Sequence, residues 1–212
     1  MKFAPGRYNL TMRLFLIRHG QTSWNISGRA QGHTDISLDP TGLDQAARLG
    51  RYFSGTPIDR ILTSDLARSK ETALSISEAT GIPLELHGEL RERGFGQWEG
   101  LPFGEVTSLI HKQALTEEIS AQRVRPPGGE SFLDVWERLE PVYDFLCETD
   151  ETVVVVSHGG ALSLLAAKLI RGTLDTCRAF RHANTGITEM ERRTEGLFLI
   201  TQYNQTPHLA RD

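Results

Sequence analysis

The chain has 212 residues, a net charge of −4, and 39% apolar and 24% charged residues. That length can bury one sizeable core, and the mild acidity excludes a nucleic-acid binder that works through an overall positive field. No run of about eighteen apolar residues occurs, so no membrane span is expected, and the two cysteines, Cys147 and Cys177, lack metal-site spacing and read as reduced thiols of a cytoplasmic protein.

Residues 1–12 hold Pro5 and Gly6 but no apolar stretch of the secretory kind, and they read as an N-terminal extension. The first strand is expected just after Met12. It runs apolar through Leu14, Phe15, Leu16 and Ile17 and then turns abruptly into Arg18-His19-Gly20. A short apolar run ending in glycine reads as a buried parallel strand feeding a loop. Ligands gather at the C-terminal ends of such strands, which puts Arg18 and His19 at the mouth of a site. Residues 21–25 should open a helical turn whose free N–H groups suit an anion; Thr22 and Asn25 there are equally ordinary capping residues. After a loop over 28–39, the stretch Asp39-Pro40-Thr41-Gly42 starts a long helix. Thr41 with Asp44 resembles a capping box, and Leu43, Ala46, Ala47, Gly50 and Phe53 form its expected buried face.

A second strand is expected over 58–63 and a third over 84–86. Between them a helix begins after an expected N-cap at Ser64-Asp65, with Arg68 in its first turn. A cation is out of place at the positive end of a helix dipole. Either an anion sits nearby, or Arg68 pairs with Asp65 or Glu71. Residues 90–100 carry four charges, two aromatics and three glycines, the composition of a working loop. Residues 104–122 have only a thin apolar stripe, Val106, Leu109 and Ile110, and suggest a helical lid inserted around 102–127. Ser131 and Asp134 should cap a helix over 132–148, with Pro141 kinking or splitting it. Residues 152–157 repeat the first construction: a β-branched run that ends in Ser157-His158-Gly159-Gly160, followed by an apolar helix over 161–170. Two further strands, 183–190 and 197–203, flank a turn at 194–196. Strands that alternate with helices give an α/β fold with a mostly parallel sheet, in one domain over 13–212.

Two strands thus deliver a histidine each, and Arg18 beside one of them suits an anionic substrate, because guanidinium matches phosphate oxygens as a fork. Arg18-His19-Gly20, then Arg68 in Ser64-Asp65-Leu66-Ala67-Arg68, then Glu92 ahead of Gly94-Phe95-Gly96-Gln97-Trp98-Glu99-Gly100, then Ser157-His158-Gly159-Gly160, occur in that order. This pattern resembles the histidine phosphatase superfamily, also called phosphoglycerate mutase-like, over nearly the whole chain. The resemblance implies a three-layer α/β/α sandwich and a phosphohistidine mechanism. His19 would be the nucleophile, Arg18, Arg68 and His158 would hold the phosphoryl oxygens, and Glu92 would be the proton donor, with a mildly acidic rate optimum. Gln21, Thr22, Asn25, Arg93 and Gly159 would contact substrate, although Gln21 stands where the family often has glutamate. No metal and no cofactor are implied. Gly128-Gly129-Glu130-Ser131 is similar to a stretch of the dephosphorylating branch, so a phosphatase of small phosphorylated metabolites is expected. The candidates are phosphoglycerates, phosphoserine, sugar phosphates and alpha-ribazole phosphate. The alternatives are a cofactor-dependent phosphoglycerate mutase and a non-catalytic binding domain of the same fold. No nucleic-acid or membrane partner is expected, and the chain would be a monomer or a homodimer.

Overall fold

A computed structural model describes residues 10–193 and 196–210. Six strands form one sheet in the order β3-β2-β4-β1-β5-β6. They are β1 (Leu10–Arg18), β2 (Arg60–Thr63), β3 (Leu84–Leu86), β4 (Thr152–Ser157), β5 (Ile187–Arg193) and β6 (Phe198–Gln205). β3, β2, β4 and β1 run parallel; β5 returns antiparallel to β1, and β6 antiparallel to β5. The sheet is therefore mostly parallel, as the alternation of elements predicts. Register aligns Arg18 of β1 with Ser157 of β4, and Thr63 of β2 with Val156. The carboxyl ends of three central strands thus share one edge.

Alternation along the strands fills both faces. Leu14, Leu16, Val153 and Val155 point to one core, packed by α5 (Phe132–Arg138), α6 (Glu140–Glu148) and α7 (Gly159–Leu169). Phe15, Ile17, Val154 and Val156 point to the other, packed by α2 (Pro40–Phe53) and α3 (Ala67–Thr80). Strands covered on both faces must be apolar at every position, which is why β1 and β4 read as unbroken runs. The short α1 (Ser23–Ile26) follows β1, and α4 (Phe103–Thr116) stands outside the three layers. Among the described residues no helix is long and apolar enough to cross a membrane.

Several local expectations are corrected. β1 starts at Leu10 rather than after Met12, because Leu10 pairs with Arg193 and Met12 with Arg192 of β5. The N-cap of α2 is Asp39, not Thr41. Its carboxylate accepts the Gly42 N–H at 2.8 Å, and Pro40 takes the first helical position, where no N–H is needed. The buried face is accordingly Gly42, Ala46, Leu49, Gly50 and Phe53, and Leu43 and Ala47 are exposed. β2 is shorter than expected, with Ile58 buried ahead of it. The N-cap of α3 is Leu66, which has no capping side chain; Asp35 from a distant loop accepts the Ala67 N–H instead. Ser131 and Asp134 do form a capping box, and the helix they start breaks at Leu139, with Pro141 in the first turn of α6. Thr194 and Glu195 of the expected hairpin turn lie outside the described residues.

Candidate active site

β1 and β4 end side by side, and the His19 N–H donates to the Ser157 carbonyl at 2.9 Å. This brings the His19 and His158 rings to 5.1 Å between centroids, tilted by 57°. His19 Nδ1 lies 2.7 Å from the Gly20 carbonyl. A carbonyl only accepts, so Nδ1 carries the proton and Nε2 keeps its lone pair. Burial, then Arg18 and Arg68, hold the His19 pKa well below the usual histidine range, and the ring is neutral.

Arg68 is fully buried in the first turn of α3. Its Nε donates to His158 Nδ1 at 3.2 Å, and its terminal nitrogens donate to the carbonyls of Thr34 and Gly32 at 3.0 and 2.8 Å. It pairs with neither Asp65, which binds Arg91, nor Glu71, which accepts the Leu38 N–H. Burial lowers its pKa to about 10, which leaves it a cation at neutral pH. Because His158 Nδ1 accepts from Arg68, its proton sits on Nε2, a buried atom with no hydrogen-bond partner. Burial and then Arg68 keep this ring neutral too. Arg18 donates through one terminal nitrogen to the His182 carbonyl at 2.7 Å, and its Nε is likewise buried and unpartnered. His158 Nε2–H and Arg18 Nε–H are donors in need of an acceptor.

Across the cleft, Glu92 is gripped at both oxygens. Oε1 accepts the Arg93 N–H at 2.9 Å and Oε2 accepts the Gly160 N–H at 3.0 Å, at the N-terminus of α7. An inner lobe of about 270 Å³ and an outer lobe of about 640 Å³ meet along Arg18, Glu92, Phe103, Phe132 and Gly160. His19, Arg68 and Asn25 line the inner lobe, and Gly159 lines the outer one.

The remaining residues singled out in the sequence divide. Thr22 is buried and caps α1, and the Asn25 side chain completes the box. Arg93 lines the inner lobe, but it donates to the carbonyls of Glu130 and Val124 at 2.6 and 2.9 Å and lies over the Phe132 ring. Gln21 is not among the lining residues; its amide donates to Asp39. Two groups escaped sequence reasoning. Asn184 Nδ2 donates to the His19 carbonyl at 2.9 Å. Behind Glu92, His33 Nε2 donates to the Glu92 carbonyl at 2.8 Å and lies 3.5 Å from Glu130, and Arg138 grips both Glu130 oxygens at 2.9 and 3.0 Å. Burial opposes ionisation of Glu130, but hydrogen bonds from His33, Arg138 and the Gly94 N–H outweigh it and bring the pKa down to about 2. The Gly128-Gly129-Glu130-Ser131 stretch was the available signal for Glu130; His33 carried none. Among the described residues no cluster of three or more His, Cys, Asp or Glu side chains is placed to hold a metal ion.

Two guanidinium groups close to a neutral imidazole, with a carboxylate lining the same cleft, suit a tetrahedral oxyanion and its departing alcohol. Fold and site together define an α/β enzyme of phosphate esters. The model of the histidine phosphatase superfamily (branch 1) matches residues 14–206. A glucosyl-3-phosphoglycerate phosphatase of Mycolicibacterium vanbaalenii is 34% identical over 167 residues, 74% of each chain. An adenosylcobalamin/alpha-ribazole phosphatase of Escherichia coli is 37% identical over 166 residues, 75% of this chain and 79% of that one. The crystal structure of phosphoserine phosphatase from Entamoeba histolytica, in complex with 3-phosphoglyceric acid, superposes with a TM-score of 0.79. It is 31% identical, and the match covers 94% of this chain and all (100%) of that one. The chain belongs to the histidine phosphatase superfamily, in branch 1. It is a phosphoric monoester hydrolase, the class that its relatives share.

Proposed function

We propose that the chain hydrolyses small-molecule phosphate monoesters through a phosphohistidine at His19, without a metal ion. The observation that carries this reading is the His19 ring: neutral, with Nε2 free and two guanidinium groups close by. Nε2 attacks phosphorus, the P–O bond to the alcohol breaks, and Glu92 gives its proton to the departing oxygen. Arg18, Arg68 and His158 Nε2–H meet the charge that builds on the non-bridging oxygens. Water then attacks the phosphohistidine, Glu92 takes its proton, and phosphate leaves with His19 restored. Asn25 adds a contact at the inner lobe and Gly159 at the outer one, and Thr22 supports α1. Arg93 shapes the wall through its aromatic stack, and Gln21 acts on the α2 junction rather than on substrate.

The outer lobe receives the alcohol, and the segment 102–127, with Phe103 on both lobes, serves as its lid. The protein works in the cytoplasm as a monomer or a homodimer, a setting that its free Cys147 and Cys177 suit. Relatives named as phosphatases favour hydrolysis over the mutase reaction. The test is phosphate release from a panel of phosphomonoesters in excess chelator, with His19→Ala as the blank. Release that the variant lacks supports the mechanism. Release that the chelator abolishes, or that His19→Ala retains, refutes it.

A further inference from the structure

The outer lobe is basic, although the chain carries −4 overall. Among the described residues that line it, Glu92 is the only carboxylate, and three arginines, Arg18, Arg178 and Arg181, face the same space. Glu92 and Arg18 are committed to the reacting phosphoryl group. Arg178 and Arg181 have no such task, and among the described residues neither forms an ion pair. Asp175, on the same segment, is bonded to Gln122 and does not line the lobe.

The segment that carries these arginines is held firmly. The Tyr203 hydroxyl of β6 accepts the Arg181 N–H and donates to the Arg181 carbonyl at 2.7 Å. Asn204 Oδ1 accepts the Ala183 N–H at 2.8 Å. The Arg181 guanidinium donates to the carbonyls of Arg178 and Phe180 at 3.1 and 2.9 Å, which ties it to its own turn. Next in sequence, His182 lines the same lobe. Its ring is buried, and neither of its nitrogens has a hydrogen-bond partner. Burial and Arg18 keep it neutral, so it offers one donor and one acceptor. A buried imidazole with both nitrogens unsatisfied calls for a ligand.

We propose that residues 178–182 form a second anion subsite, which selects phosphate monoesters whose alcohol carries a carboxylate. The guanidinium groups recognise the carboxylate, His182 donates to it, and Phe103, Phe132 and Phe180 flank the carbon skeleton between the two anions. This selects phosphorylated acids over phosphate esters of neutral alcohols. The inference rests on the phosphatase reading above.

Two matched substrate pairs test it: 3-phosphoglycerate with glycerol 3-phosphate, and 6-phosphogluconate with sorbitol 6-phosphate. Within each pair only a carboxylate replaces a hydroxymethyl group. The acid is expected to be favoured in kcat/KM by about tenfold or more in at least one pair, as a charge-assisted contact gives. The preference should collapse toward one in the Arg178→Gln/Arg181→Gln double variant and narrow in the single Arg178→Gln variant, whose exposed side chain makes misfolding no explanation. Added salt should narrow it in the unaltered enzyme. Ready turnover with a ratio near one in both pairs overturns the subsite alone, as does a ratio that the double variant keeps. Failure to turn over any of the four esters, or p-nitrophenyl phosphate, overturns the phosphatase reading itself.

Discussion

Gly160→Ala should disable Glu92 as the proposed proton donor while leaving the fold intact. Gly160 sits in the first turn of α7 with its N–H on Glu92 Oε2. An alanine Cβ there would stand 2.4 Å from Glu92 Oε1, about 1 Å inside ordinary contact. The backbone is not left-handed at this position, so the substitution brings no strain of its own. The atom in the way is the end of a side chain rather than backbone, so the carboxylate shifts and its hydrogen bonds from the Arg93 and Gly160 N–H groups lengthen. Stability should change little, since alanine is up to about 1 kcal/mol better than glycine inside a helix and this offsets the weakened hydrogen bonds, each about 1 kcal/mol. The carboxylate, however, moves by about 1 Å from the leaving oxygen. A displacement of that size costs on the order of 100-fold, about 2.7 kcal/mol of barrier. The assay is kcat/KM, which reports the steps through P–O cleavage, on an alkyl phosphate and on p-nitrophenyl phosphate. An alkoxide needs the proton and p-nitrophenolate does not. The alkyl ester should lose about 100-fold and the aryl ester far less. Equal losses on both esters, or no loss on either, would refute the assignment of Glu92 as the acid.

Two further outcomes follow from the same geometry. Glu130→Gln removes the charge that holds His33 and Arg138 behind Glu92, so kcat on alkyl esters should fall roughly tenfold with KM little changed, and the aryl ester should be less affected; a change confined to KM would contradict this positioning role. Stability should decline as the pH falls below neutrality. Burial and Arg18 depress the His182 pKa from 6.5 to about 4, so within that window the unfolded chain takes up a proton that the folded chain refuses. The slope is about 1.4 kcal/mol per pH unit from this one group. The depressed pKa values of His19 and His158 act in the same direction, and the raised pKa of His33 opposes them. Urea midpoints at neutral pH and at about pH 5 measure the net effect, and a midpoint that rises on acidification would count against neutral burial of these rings.

How much was legible depended on whether the signal was local. The apolar runs of β1 and β4 stop at Arg18-His19 and Ser157-His158, so the strands and their histidines could be read together, and register then made them neighbours. The odd placement of Arg68 was readable as a helix-dipole anomaly, and its complete burial, with Asp65 and Glu71 engaged elsewhere, excludes the surface ion pair. Ser131, Asp134 and Pro141 behaved as capping and helix-breaking chemistry dictates. What escaped was set by contacts between distant segments. Asp35 reaches α3 across 32 residues, His33 reaches the Glu92 carbonyl across 59, and Asn184 reaches the His19 carbonyl across 165. No pattern in a single window encodes such contacts. The N-cap of α2 was misplaced for a different reason: Asp39 and Thr41 are both good caps, and only the position of Pro40 decides between them.

The most direct measurement is capture of the intermediate. The enzyme is mixed with a phosphomonoester in excess chelator, quenched in alkali, where phosphohistidine survives, and mapped by mass spectrometry. One phosphoryl group is expected on the peptide that contains His19, formed at least as fast as turnover, discharged on acidification and absent from His19→Ala. Sustained phosphate release with no labelled histidine, or a label on any residue other than His19, would contradict it.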